Sequence, residues 1–212
     1  MRMFDASVFN DVVSAGCAIV VAAAAALGLQ TWREQLKGAG NYEVARRVLR
    51  AALKTRDAIE LVRSRFIFGG ETEVAVKKSG RELSSYPEMR RHEEYELVVW
   101  QRWRRVVDAA SELETEILES EVLWGSEIRQ EGKNLRAVTV KLGNAIEEHL
   151  ELARPSLSPL PDPPEERKRR LAIVLKQSGK DSPDEYWNEV LGAVSALETK
   201  LLPRLQRKSG AG

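Results

Sequence analysis

Acid–base or metal chemistry in this chain would have to turn on its two histidines, His92 and His149. Imidazole titrates near neutrality and is a common metal ligand. A carboxylate-bridged metal pair inside a helical bundle needs Glu-x-x-His on an inward helix face. Ile146 stands three residues before His149 and Met89 three before His92, so neither histidine fits. Glu147, Glu148 and Glu151 lie close to His149, and together they read as a solvated acidic face carrying one histidine. The sequence contains no H-E-x-x-H, no P-loop and no dinucleotide fingerprint. Ser14 with Gly16 lacks the strand and the glycine spacing of a nucleophile elbow. These patterns assign no catalytic residue, no metal ligand and no cofactor.

Phosphate binding is the other chemistry to weigh. Arg46, Arg47, Arg50, Lys54 and Arg56 cluster on one helical segment. Each contributes about 1 kcal/mol toward an anionic leaflet if it comes within a Debye length. The same residues also serve as an orientation signal and as solvated surface. Arg167, Lys168, Arg169 and Arg170 form a second basic run, without interleaved aromatics. Trp100 and Trp103 beside Arg102, Arg104 and Arg105 outline a base-stacking platform, but Trp103 falls on an apolar stripe and leaves Trp100 alone. With 33 basic against 32 acidic side chains the net charge is +1, so no bulk attraction to nucleic acid is implied. Nucleic acid is not an expected partner.

The elements that position these residues begin with a segment free of charge, Val12 to Trp32. As a helix it spans roughly 32 Å, about the thickness of a bilayer's hydrocarbon core. Its larger apolar residues favour insertion by about 2–4 kcal/mol, and a central arginine would cost about 2.5–3.5 kcal/mol. A cleaved signal peptide is the alternative, although Arg2 is offset by Asp5 and Asp11 where a basic n-region is needed. A lipoprotein box at Ser14–Cys17 is excluded because the apolar run follows the cysteine. A soluble core helix of this length would normally show a polar face. Ser14, Ala18, Ala22 and Ala26 make a small-residue ridge on which two anchors can pack, as any alanine-rich helix also offers. Basic residues accumulate after the segment, so the positive-inside bias puts the C-terminal part in the cytoplasm. The single cysteine, Cys17, lies inside the segment, which excludes a disulfide framework and a thiolate cluster.

Beyond it the expectation is all-α: an N-terminal transmembrane helix followed by a cytoplasmic antiparallel helical bundle. Residues 1–37 form the anchor and its exit, and residues 38–154 the bundle, with a loop near 67–87. Residues 155–164 form a proline-rich connector, and residues 165–212 a C-terminal helical segment. Asn41 caps a helix reaching Arg65 or Phe66, on which Ala45, Val48, Leu49, Ala52, Ile59, Val62 and Phe66 recur at the helical period. In the loop, Val74 and Val76 suit a brief extended piece. From Pro87, Tyr95, Val99, Trp103, Val106, Ala110, Leu113, Ile117 and Trp124 trace one apolar stripe, basic-flanked early and acidic-flanked late.

Gly125 turns the chain, with Ser126 available as a cap, and Ile128, Leu135, Val138, Leu142, Ile146 and Leu150 form the next stripe. A short basic helix covers Glu165 to Gln177. Ser182-Pro183-Asp184-Glu185 then reads as a cap, an early proline and a glutamate three residues on. Trp187, Val190, Leu191, Val194, Leu197 and Leu201 form the last buried face, which Pro203 should end or kink. A continuous parallel coiled coil is the alternative, against the glycine and proline breaks.

Three stretches carry a resemblance. They are Trp32-Arg33-Glu34-Gln35-Leu36-Lys37-Gly38, Ala45-Arg46-Arg47 leading to Arg56-Asp57-Ala58, and Glu121-Val122-Leu123-Trp124-Gly125. Together they resemble a group of bacterial membrane proteins with one N-terminal span and a helical cytoplasmic part. The resemblance implies that architecture and a bacterial inner-membrane location. It carries no activity and transfers no functional residues. The expectation is therefore a non-catalytic, membrane-anchored scaffold or interaction module. Membrane lipid contacts residues 12–32, and the partner is another protein or a second copy. A subunit of a membrane-associated enzyme or effector complex is the alternative, as is a sensor of anionic lipid or nucleic-acid phosphate through the basic helix.

Overall fold

The computed structural model describes residues 27–30, 32, 40–155, 161–177 and 183–206. The chain divides into two compact units, Met1–Glu43 with Arg207–Gly212, and Val44–Gln206. In the first unit, residues 27–30 and 32 are helical, with Leu27, Leu29 and Trp32 exposed. Residues 12–26 and 31 of the expected anchor lie outside the described residues. Among the described residues, no helix is long and apolar enough to cross a membrane.

All regular structure in the described residues is helical. Helix α1 covers residues 40–62, α2 Gly69–Ser79, α3 Pro87–Trp124, α4 Glu127–Leu152, α5 Pro164–Val174 and α6 Glu185–Leu205. In the unit Val44–Gln206, α1, α3, α4 and α6 form an up-down-up-down bundle, as two layers of core residues show. One layer joins Val48 and Ala52 of α1 to Leu113 and Ile117 of α3, Ile128 and Leu135 of α4, and Leu197 and Leu201 of α6. The other joins Ile59 to Val99 and Val106, Leu142 and Ile146, and Tyr186 and Val190. Each helix thus runs antiparallel to the one it follows in the bundle, and the parallel coiled coil is excluded for this unit. Helices α5 and α6 belong to the same unit, with Val174 of α5 in the second layer.

Helices α3 and α4 approach each other closely at two glycines. A Cβ at Gly143 would stand 2.8 Å from Cζ2 of Trp103, and one at Gly132 would collide with Cδ1 of Ile117. Glycine at 143 leaves room for the rigid Trp103 ring, whereas at 132 an added Cβ would have to push the Cδ1 end of Ile117 aside. Between the two helices the chain reverses at Gly125, whose φ of 73° lies in the region that favours glycine. Trp124 packs against the first core layer, and the Arg204 guanidinium lies 4.6 Å from its ring centroid. Ser126 stands at the N-cap of α4, but its side chain makes no capping hydrogen bond.

Several sequence expectations need correction. The stretch 67–87 is not all loop, and Val74 and Val76 are helical rather than extended, because α2 forms there. Its first turn is held by the Glu71 carboxylate, which accepts from Phe68 N–H at 3.3 Å and from Arg102. Gly80 ends the helix at φ 60°. Helix α1 stops short of Phe66, whose ring is exposed, because Arg102 draws the chain beyond residue 62 onto α3. Helix α6 begins at Glu185 rather than at a Ser182 cap. The Asp184 side chain accepts from Trp187 N–H at 2.9 Å, while Ser182 itself lies outside the described residues. Pro203 does not end α6, since the missing donor falls near its last turn, where Leu201 is buried and Leu205 packs on the core. Leu191, expected inside, is exposed.

Candidate functional site

Each basic cluster first has to be placed. On α1, Arg47 pairs with Glu116 at 3.0 Å and also with Glu119, and Lys54 pairs with Glu112 at 2.5 Å. Arg56 pairs with its neighbour Asp57 at 2.7 Å, and Arg46 and Arg50 are exposed. The antiparallel course of α1 and α3 therefore sets the basic stretch of one against the acidic half of the other. Arg47 and Lys54 thus already face carboxylates of α3. This pairing is open to sequence reasoning, since both charge runs are plain once the two helices are taken as antiparallel.

Sequence reasoning puts three other arginines on the surface or assigns them nothing, and all three are buried: Arg63, Arg102 and Arg170. Arg102 donates to the carbonyls of Leu61, Ser64 and Phe66 and to both Glu71 oxygens, the shortest contact being 2.5 Å. This hydrogen bonding, opposed by partial burial, holds the Glu71 carboxyl below the ordinary carboxylate range. Arg63, just past α1, donates to the carbonyls of Ala172, Ile173 and Leu175 at the end of α5 and to Asp184 at 2.9 Å. Its guanidinium also stacks 4.7 Å from the Tyr186 ring centroid. Burial pushes the Asp184 carboxyl up, but hydrogen bonds from Arg63, Trp187 N–H and Gln177 N–H hold it below its usual value. Arg170 reaches Asp162 at 2.6 Å and Glu148 at 3.0 Å, and Arg167 also reaches Asp162. The rest of the second basic run, Arg167, Lys168 and Arg169, is exposed.

The histidines lie at the other end of the bundle from Gly125. His149 Nε2 stands 3.5 Å from the Tyr95 hydroxyl, with the two rings edge to face. Burial lowers the His149 pKa, and Arg170 adds to the effect. His92 is likewise lowered by burial. Burial thus disfavours the charged form of both imidazoles. Among the described residues, no group of three or more His, Cys, Asp and Glu side chains is placed to hold a metal ion. Trp100 is half-buried and packs on the second core layer, so the stacking platform dissolves.

What remains uncovered is an open groove of about 420 Å³ along the outer seam of α3 and α4. Its floor is Thr55, Leu113, Ile117 and Leu135, and its walls carry Val107, Leu118 and Val140, which are 45%, 58% and 50% exposed. The rim is charged. Arg136 pairs with Glu114 at 2.8 Å, Arg129 pairs with Glu121 at 2.9 Å, and Lys133 is exposed beside them. An apolar floor between two helices with a charged rim is the geometry that receives another helix. The sequence hides this feature, because isolated valines and leucines on α3 and α4 are ordinary on a helix surface. No family model matches the chain, and no curated protein or solved structure was found similar to it.

Proposed function

We propose that this chain is a non-catalytic helical scaffold or interaction module, tethered to a bacterial inner membrane through residues 12–32. The carrying observation is the uncovered apolar groove of α3 and α4, in a bundle whose buried arginines are already committed to its own carbonyls and carboxylates. The charge-free run from Val12 to Trp32, the basic residues after it and the resemblance to single-span bacterial proteins support the tether. A phosphate-sensing role for Arg46, Arg47, Arg50, Lys54 and Arg56 is the weaker reading, since Arg47 and Lys54 already face carboxylates of α3.

Two measurements test the proposal. Ala22→Arg puts a charge costing about 2.5–3.5 kcal/mol at the centre of the span. The full-length variant should move from washed membranes to the soluble fraction, and its retention there would overturn the tether. Chemical cross-linking in native membranes should capture a protein partner that survives high salt, because apolar contacts are not screened. Capture that disappears steeply with salt would favour phosphate binding instead.

A further inference from the structure

We infer that the occupant of the α3–α4 groove is α3 of a second copy of this chain, packed antiparallel across a two-fold axis. This rests on the interaction-module reading and names its partner. The outer ridge of α3 runs Arg104, Val107, Ser111, Glu114, Leu118 and Glu121, with steps of three or four that place it on one face. All but Glu121 are exposed, and Val107, Ser111, Glu114 and Leu118 line the groove.

The ridge is complementary to itself only when reversed. An axis near residue 112 sets Arg104 opposite Glu121, a carboxylate that Arg129 of its own chain also reaches at 2.9 Å, Val107 opposite Leu118 and Ser111 opposite Glu114. A parallel pairing would instead set Arg104 on Arg104 and Glu114 on Glu114. The second wall of the groove fits the same register. Trp103 abuts Gly143 and Ile117 abuts Gly132, so Val107 lies level with Val140. Leu118 of a second copy, arriving opposite Val107, is thus received between Val107 and Val140. Its Glu114 comes level with Arg136, which Glu114 of the same chain also reaches at 2.8 Å, beside the exposed Lys133.

The ridge from Arg104 to Glu121 is about 26 Å long, so a contact roughly two helices wide covers on the order of 1,000 Å² in total. That is the small end of specific interfaces. It fits a contact reinforced by confinement to a membrane.

Cysteine pairing tests the register in the full chain, in a Cys17→Ser background that removes the native thiol. Differently tagged copies carrying Val107→Cys and Leu118→Cys are co-expressed and oxidised in whichever fraction holds the protein. The mixture should form a heterodisulfide. Either variant alone should not, because like positions stand about 16 Å apart, beyond disulfide reach. With both cysteines on one chain, Arg104→Glu or Glu121→Arg should each lower dimer yield about tenfold by opposing like charges. Co-expressing those two variants should restore it, since each then meets its complement at both contacts. Disulfides from single-position variants alone, or none from the mixture, would overturn the inference. If the mixture fails while native-membrane cross-linking still captures a different protein, the interaction-module reading survives without the dimer.

Discussion

Replacing Arg63 by methionine tests the claim that a single buried guanidinium joins α5 and α6 to the end of α1. Arg63 is 1% exposed and gives hydrogen bonds of 2.7–3.1 Å to three carbonyls and to Asp184. Methionine keeps the aliphatic bulk and removes every donor. Those three carbonyls then lose a partner and Asp184 loses its counter-charge, a situation that costs about 3–5 kcal/mol. At roughly 2–4 °C per kcal/mol for a domain of this size, the melting midpoint should fall by about 6–20 °C. The assay is thermal unfolding of the full-length protein, followed by far-ultraviolet circular dichroism.

Asp184→Asn refines the test, because the asparagine oxygen still caps α6 through Trp187 N–H while the charge and the acceptor for Gln177 N–H are lost. The double variant should show a coupling of about 0.5–3 kcal/mol between the two sites. A local signature should accompany the loss. Helix α5 buries only Arg170 and Val174, so without Arg63 cleavage within Pro164–Val174 should become faster. A midpoint shift under about 3 °C with a coupling under about 0.3 kcal/mol would refute the reasoning.

Other expected outcomes concern packing and pH. Gly143→Ala drives a Cβ to 2.8 Å from the rigid Trp103 ring and should destabilise by about 1–3 kcal/mol in urea unfolding. Gly132→Ala meets only the movable Cδ1 end of Ile117 and should cost less. The Glu71 and Asp184 carboxyls are held below their ordinary values, so their stabilisation is full above the unfolded carboxylate pKa of about 4. Melts should show it lost as pH falls below that value through the depressed folded ones, and Glu71→Gln should shrink this acid limb. His149 is also depressed, by burial and then by Arg170, with Asp162, His92 and Arg167 nearby. Its neutral form favours folding, so stability should decline as pH falls below about 6.5, and His149→Gln should flatten that part of the curve.

Much of the bundle was legible as local pattern. The stripes of α3 and α4, the turn at Gly125 and most of the buried face of α6 follow from the helical period. Period depends only on near neighbours along the chain, so it can be read without knowing what packs against it. Helix α2 escaped that reading because it buries only Ala75 and carries little apolar pattern. It is tied down by the Arg102–Glu71 pair, whose members lie 31 residues apart.

The same limit explains the arginines and the groove. Charge in a sequence reads as surface, because burying it unpaired costs several kcal/mol. Arg63 and Arg102 are buried nonetheless, since the fold brings the carbonyls of a helix end and a carboxylate from elsewhere in the chain to each guanidinium. Conversely Val107, Leu118, Val140 and Leu191 have the residue type of a core and stand exposed. Which hydrophobic positions on a helix face inward is set by the helices packed around it, and those are chosen by contacts between residues far apart in the chain.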